Sequence, residues 1–504
     1  MQKYDAIVIG AGIGGLFCAA KLAKEGKKVV VLEQHSVPGG YAATFKRKQF
    51  VFEASVHAID GLFDPQSHNS KLFDEFKIRK HVQPIRLPEF FKVVRNDLQF
   101  TLPDDLDQAI KLLKEKYPQD KKSLDKYSKT LRKIRKQILY FQSKGKPRFH
   151  MIPSLLIHCY GLFLYLFKSF GSFMDKLTTN DDLKLILGAN IAYYHDDPYV
   201  YSSLHHIGAQ GSFLSGGGAY IQGGSQQIAR YLVDYIQNRG GEVLLKSKVS
   251  KVLGEKKSVN GVEYSNKKGE INQIFADNVV CNANLPSLMN ELLSEETSGS
   301  LRKKYSSHEP SHSIFSLYMG LKKPLTELGN DSYSTFLFPD SVTNLKELAK
   351  SNSTTDYEQK TLVMVDYSII DAKLSKDNAP VAACVLVDDI KHWENLSKEE
   401  YKRKKEEVSQ TILKRIEAYM PGIGELIEYK EAATPLTMKR YTLNERGAVY
   451  GYAPNVNQIG PRRPENYTGI KGLYLASAWS KQGGGISPAA KSGYAVAEAI
   501  LKKP

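Results

Sequence analysis

Four small residues and one acid near the start of the chain have the types and spacing for holding a nucleotide. The apolar run Tyr4-Asp5-Ala6-Ile7-Val8-Ile9 leads into Gly10-Ala11-Gly12-Ile13-Gly14-Gly15. A helical stretch follows to Glu25, then the apolar run Lys28–Leu32, ending on Glu33, 18 residues beyond Gly15. Gly10 permits a tight strand-to-helix turn, and Gly12 lets the backbone approach a pyrophosphate. With Gly14 as part of the same fingerprint, Gly15 brings the helix close to the strand. The helix N-terminus offers free N–H groups and a positive dipole end to the phosphates. Glu33 stands where a carboxylate accepts hydrogen bonds from a ribose diol, and its charge would repel a 2′-phosphate. The elements required are therefore strand, glycine turn, helix and second strand, and the hydrophobic pattern supplies all four.

Val37-Pro38-Gly39-Gly40-Tyr41-Ala42-Ala43-Thr44 comes next, followed by Phe50–Glu53. This segment resembles the second fingerprint of FAD-containing oxidoreductases built like amine oxidases and phytoene desaturases. In those proteins a Gly-Gly pair runs close to the flavin's phosphates. Many relatives carry Arg after the pair; here the residue is Tyr41. At the other end, Gly472–Trp479 reads as a strand leading to Gly483-Gly484-Gly485-Ile486-Ser487-Pro488 and a helix to about Leu501. Pro is tolerated in the first turn of a helix. In flavoproteins of this design the last helix aims its N-terminus at the N1/O2 edge of the flavin, where its dipole favours the negative charge of the reduced ring.

With Gly223–Val249, Thr434-Pro435 and Gly447–Gly451, these segments make the whole chain similar to the carotenoid desaturase, carotenoid isomerase and retinol saturase family of FAD proteins. The resemblance implies an α/β fold: a doubly wound, Rossmann-type FAD-binding domain with an inserted α+β substrate-binding domain. It assigns FAD to Gly10, Gly12, Gly14, Gly15, Glu33, Gly39, Gly40, Thr44, Val249, Ala478, Gly485, Ile486 and Ser487. Val249 would meet the adenine through its backbone. The expected division is 1–70, 216–300 and 466–504 for the FAD domain, with 71–215 a mainly helical substrate and membrane-contact insertion. Residues 301–465 would form a substrate domain with antiparallel strands.

The implied reaction is desaturation, saturation or isomerisation of C=C bonds in a long hydrophobic polyene by hydride transfer at flavin N5. His57 is the candidate proton donor, and Tyr193, Tyr194 and His195 are candidate cavity residues. Two other readings stand beside it. One is a flavin amine oxidase; covalent attachment of its flavin near the C-terminus is disfavoured because the last cysteine is Cys384. The other is a non-enzymatic lipid carrier like the prenyl-binding Rab escort proteins. No second strand-GxGxxG-helix unit is present, so electrons would pass to oxygen or quinone, arrive from a separate reductase, or cycle without net flow, with direct reduction by nicotinamide at the flavin left open.

Composition bounds the rest. The 504 residues carry a formal net charge of +16 and four scattered cysteines, with no CxxC or HExxH spacing. That pattern points to a reducing compartment and to no metal site. Fourteen lysines and arginines lie between Lys111 and Arg148, just before the apolar run Leu155–Phe167. As one helix that run would span about 20 Å at ~1.5 Å per residue, too short to cross a bilayer. Basic charge beside an aromatic apolar helix suits a peripheral membrane anchor, or else a roof over a lipid cavity with a solvated basic face. No nucleic-acid module accompanies the charge. With no evident signal peptide or transmembrane span, the expected location is the cytoplasmic side of a membrane.

Overall fold

A computed structural model of the chain describes residues 3–55, 58–143 and 152–502. Strand β1 (Lys3–Ile9) feeds the first helix (Ile13–Lys24), which returns to β2 (Val29–Leu32). Three later strands complete a parallel array: β3 (Glu242–Leu244), β4 (Ile271–Cys281) and β5 (Leu473–Leu475). Their spatial order is β3-β2-β1-β4-β5. Strands buried on both faces need near-continuous apolar runs, and the Ala6–Ile9 and Val29–Leu32 segments supply them.

β4 belongs to two structures at once. Its C-terminal half pairs in parallel with β1, with Ile9 opposite Cys281, and with β5. Its N-terminal half pairs antiparallel with Ser258–Ser265, which in turn pairs with Lys248–Glu255. The first helix and the last helix (Ile486–Leu501) pack tightly on this sheet. A Cβ on Gly493 would lie 1.9 Å from the Gly14 carbonyl oxygen, and one on Gly14 would lie 2.0 Å from the Ala476 carbonyl. These glycines are what allow the two helices and β5 to meet.

The second sheet is seven-stranded. Its order is Ile427–Ala433, Ser313–Leu321, Val381–Asp388, Leu362–Asp366, Ser334–Leu337, Phe91–Arg95 and Leu98–Leu102. The last two strands come from the stretch read as mainly helical. Phe91–Arg95 pairs in parallel with Ser334–Leu337, some 240 residues away, a pairing that no local pattern announces. One face of the sheet packs on the mixed-charge helix Lys398–Tyr419 through Leu317, Met364, Cys384 and Leu386. The opposite face presents Ile314, Val363, Val365, Val385 and Val387 to the main core and to the site.

The apolar run Leu155–Phe167 is two short helices, Ile152–His158 and Tyr160–Leu166, broken at Cys159. Both lie against the basic helix Lys121–Ser143. Gly161 makes the approach possible, since a Cβ there would sit 2.5 Å from Gln137 Oε1. Ile157 is 70% exposed and Phe167 62%, and Tyr160, Phe163 and Leu164 are also exposed. No helix of the described residues is long and apolar enough to cross a membrane.

Candidate functional site

The first cavity runs along the C-terminal ends of β1 and β2. Gly10, at φ +97°, turns the chain, and a Cβ on Gly12 would lie 2.7 Å from Asn282 Nδ2. Asn282 anchors the turn by donating to the Gly10 carbonyl at 3.2 Å. The first helix is capped by Gly12 without any side-chain hydrogen bond, so its opening N–H groups face the cavity unclaimed. Gly15 does not border the cavity. A Cβ there would be 2.3 Å from the Gly10 oxygen, so its hydrogen side chain sets the helix-to-turn distance.

Glu33 lies at the far end of the same cavity, nearly buried. Its carboxylate accepts from the Ala11 amide at 2.7 Å and the His35 amide at 2.8 Å. Burial pushes the carboxyl above the usual range, against those hydrogen bonds. Val249 borders the cavity from the Lys248–Glu255 strand, beside Ser247, whose amide donates to the Glu33 carbonyl.

The Gly-Gly loop crosses the glycine turn. The Gly39 amide donates to the Ala11 carbonyl at 2.8 Å, and Gly40 comes so close that a Cβ would stand 3.5 Å from the Gly12 Cα. Tyr41, in the place of the relatives' Arg, donates to the carbonyls of Gly447 and Ala448 at 3.2 Å. The departure from the family pattern thus ties two of the matching segments together. Thr44 borders neither cavity; its hydroxyl donates to Gln226 Oε1 at 2.9 Å.

The last helix closes the other side. Gly485, at φ +100°, caps it without a side-chain hydrogen bond, and Ala478, Gly485 and Ile486 border the first cavity. Ser487 borders the second cavity instead and donates to Asp60 Oδ1 at 2.5 Å. Sequence reasoning missed the residue that fixes this turn. Arg463 is buried and donates to the carbonyls of Tyr452, Ala478 and Ser480 at 3.0, 3.1 and 3.0 Å. Burial pushes its guanidinium down to about 10. A lone arginine in a loop carries no sequence signal for such a role.

A second cavity, of about 350 Å³, meets the first. Ala58, Tyr193, Tyr450, Gly485 and Ile486 border both. It extends past Phe90, Phe213 and Leu204 to Arg135, Ile138 and Gln142 of the basic helix. Tyr193 holds Ser334 of the second sheet at 2.9 Å. Tyr194 borders the second cavity as well, whereas His195 borders neither and pairs with Asp196 at 2.9 Å. His57 lies outside the described residues. Among the described residues no group of three or more His, Cys, Asp or Glu could hold a metal.

Two uncapped helix N-termini, a buried carboxylate and glycines that a Cβ would block all converge on one crevice above a parallel sheet. That donor set fits a dinucleotide whose pyrophosphate takes the first helix end and whose ring system reaches the second. Fold and site define an FAD-dependent oxidoreductase of two-sheet architecture. The family model described as flavin containing amine oxidoreductase matches residues 13–501, and the chain belongs to that family. The chain is 26% identical to the all-trans-retinol 13,14-reductase of Danio rerio, over 94% of this chain and 82% of that protein. It is also 26% identical to prolycopene isomerase 2, chloroplastic, of an Oncidium hybrid cultivar, over 99% and 84%. An oxidoreductase structure from Methanosarcina mazei superposes with a TM-score of 0.65 at 17% identity, covering 100% of each chain, which establishes the shared fold. The resemblance read from the motifs, the α/β fold and FAD as the cofactor are thereby borne out.

Proposed function

We propose that this oxidoreductase changes carbon–carbon double bonds of a long hydrophobic polyene, by saturation, desaturation or isomerisation. The observation that carries the reading is the junction: a second cavity opens onto the nucleotide crevice at Tyr193 and Tyr450, beside the N-terminus of the last helix. Ile314, Val363, Val385 and Val387 of the second sheet border the crevice and Val365 borders the second cavity, an apolar wall suited to a chain without polar handles. The names of the relatives support the same class, since one is a retinol reductase and the other a prolycopene isomerase.

In this reading Gly10, Gly12, Gly14, Gly39 and Gly40 let the backbone close on the pyrophosphate. Glu33 takes the ribose, Val249 meets the adenine, and Ala478, Gly485 and Ile486 face the flavin ring, with Ser487 beside them on the substrate side. FAD, when bound, supplies hydride exchange at its N5. The chain's own part is to orient the polyene, exclude water and hold the proton that saturation requires. A tyrosine pair at the junction is the one feature that favours amine oxidation, and amines belong in the substrate panel for that reason.

The exposed Ile157, Tyr160, Phe163, Leu164 and Phe167 stand beside exposed Lys129, Arg132, Lys133 and Lys136 of the helix that borders the second cavity. Lys133 Nζ lies 3.9 Å from the Tyr160 ring centroid. An apolar patch rimmed by cations fits an anionic lipid surface from which a polyene enters. Domain limits at 1–70, 216–300 and 466–504 against 71–215 and 301–465 belong to the same proposal.

The test incubates the yellow holoprotein, oxidised and reduced, with retinol, phytoene, a poly-cis carotenoid and a set of primary amines, followed by product chromatography. A saturated, desaturated or isomerised polyene is expected. Turnover of an amine with all polyenes returned unchanged would replace this reading.

A further inference from the structure

Three polar groups bordering the second cavity lack partners among the described residues. The hydroxyls of Tyr194 and Tyr450 have no hydrogen-bond partner among the described residues, and both rings border the second cavity. The His205 ring borders it too, and meets the Tyr194 ring edge-on at 5.3 Å. Tyr194 in turn meets Tyr450 at 5.6 Å. The three therefore form one aromatic cluster next to the cofactor crevice.

His205 is set up in a specific state. Its Nδ1 lies 2.8 Å from the hydroxyl of Tyr201, a side chain with no exposed surface. That hydroxyl has no other acceptor among the described residues, so it donates to Nδ1, and the imidazole proton resides on Nε2. Burial, with Arg463 and His195 nearby, pushes the ring down to about 3, so it is neutral across the physiological range. The Nε2–H is a neutral donor without a partner among the described residues. A pure hydrocarbon filling this cavity would strip water from three polar groups and replace none of their hydrogen bonds.

We propose that the polyene carries an oxygen function, an alcohol or carbonyl, which accepts a hydrogen bond from His205 Nε2–H beside Tyr194 and Tyr450. This deepens the polyene reading and rests on it. Because Tyr450 borders both cavities, an oxygen held here presents the double bond nearest that oxygen to the junction. A protonated amine is a poor match for His205, since it has no lone pair to accept from Nε2–H. Glu89 and Asp60, which also border the cavity, already accept from Ser332 and the Tyr333 amide, and from Ser487 and Ser212.

The test compares two ligands with the same skeleton, all-trans-retinol and its deoxygenated analogue axerophthene. Binding to the oxidised, FAD-loaded protein is followed by quenching of protein fluorescence. Retinol is expected to bind roughly 10- to 100-fold more tightly than axerophthene. His205→Leu should bring the two affinities together without weakening axerophthene binding, and that unchanged binding reports an intact cavity. His205→Gln, which keeps a donor, should retain part of the preference. Should the leucine variant not fold, Tyr201→Phe, which releases the tautomer, should narrow the preference in its place. Equal binding of both ligands by the unaltered protein, or a preference that survives in both the leucine and phenylalanine variants, overturns the assignment while leaving the polyene reading in place. Binding of neither ligand by fully flavinylated protein overturns both.

Discussion

The nucleotide crevice and the substrate cavity share a border yet are built on opposite plans. In the crevice the key positions are backbone positions: Gly10, Gly12, Gly14 and Gly39 matter because a Cβ would collide or the turn would strain. In the cavity the key positions are side chains: Tyr193, Tyr194 and His205 from one stretch, and Tyr450 from far along the chain. A backbone site leaves a fixed local signature in sequence. A side-chain site can be assembled in many ways and leaves almost none.

The contrast can be broken where it predicts the largest effect. Gly493→Val would drive a side chain into the Gly14 carbonyl, separating the two helices that flank the crevice. A loss of about 3 kcal/mol or more and colourless protein are expected by thermal melting and flavin absorbance. An equally stable yellow variant would show that helix approach does not govern the crevice.

Acid tests burial on both sides of the border, since His68 and His205 border the substrate cavity and His312 the nucleotide crevice. Burial pushes the imidazoles of His205 and His206 down to about 3, and those of His68 and His312 to about 4. Their contribution is complete above pH 6.5. It is lost as pH falls towards those values, because the unfolded chain takes up protons that the folded chain refuses. Urea unfolding should show stability dropping by at least about 1.4 kcal/mol per pH unit between pH 6 and 4. A flat profile there would mean that these rings are not held dry.

Glu33→Ala removes the charged acceptor at the ribose end and leaves the Ala11 and His35 amides unpaired. FAD affinity is expected to fall by about 1.5–3 kcal/mol in a flavin-release titration. Tyr193→Phe, across the junction, cuts only the hydrogen bond to Ser334. It should cost about 1 kcal/mol in denaturant unfolding while flavin content stays full. If both changes release flavin alike, the two regions are not separate.

The smallest effect on the fold is expected at the surface. Phe163→Asp with Phe167→Asp should leave stability within about 0.5 kcal/mol, because both rings already face solvent. Co-sedimentation with anionic liposomes at low salt should be lost. Retained binding would assign the patch another role.

The same contrast explains what could be read from sequence. β1, the glycine turn, the first helix and Glu33 were legible because local spacing dictates them. The strands Phe91–Arg95 and Leu98–Leu102 were not foreseen, because their place is set by a parallel partner far along the chain. The break at Cys159 escaped notice because an apolar run gives no sign of a turn inside it. The pairing of His205, in the first turn of its helix, with Tyr201 just ahead of the N-cap resembles ordinary core packing until the cavity is seen.

The most direct measurement is anaerobic. The protein's FAD is reduced, the polyene is added in the dark, and the return of blue absorbance is followed alongside the ligand's own spectrum. The account predicts that a polyene restores the oxidised spectrum, is itself isomerised while the flavin stays reduced, or, added to the oxidised protein, bleaches the flavin as it is desaturated. An unchanged polyene over a reduced flavin, with an amine reducing the oxidised protein instead, would contradict it.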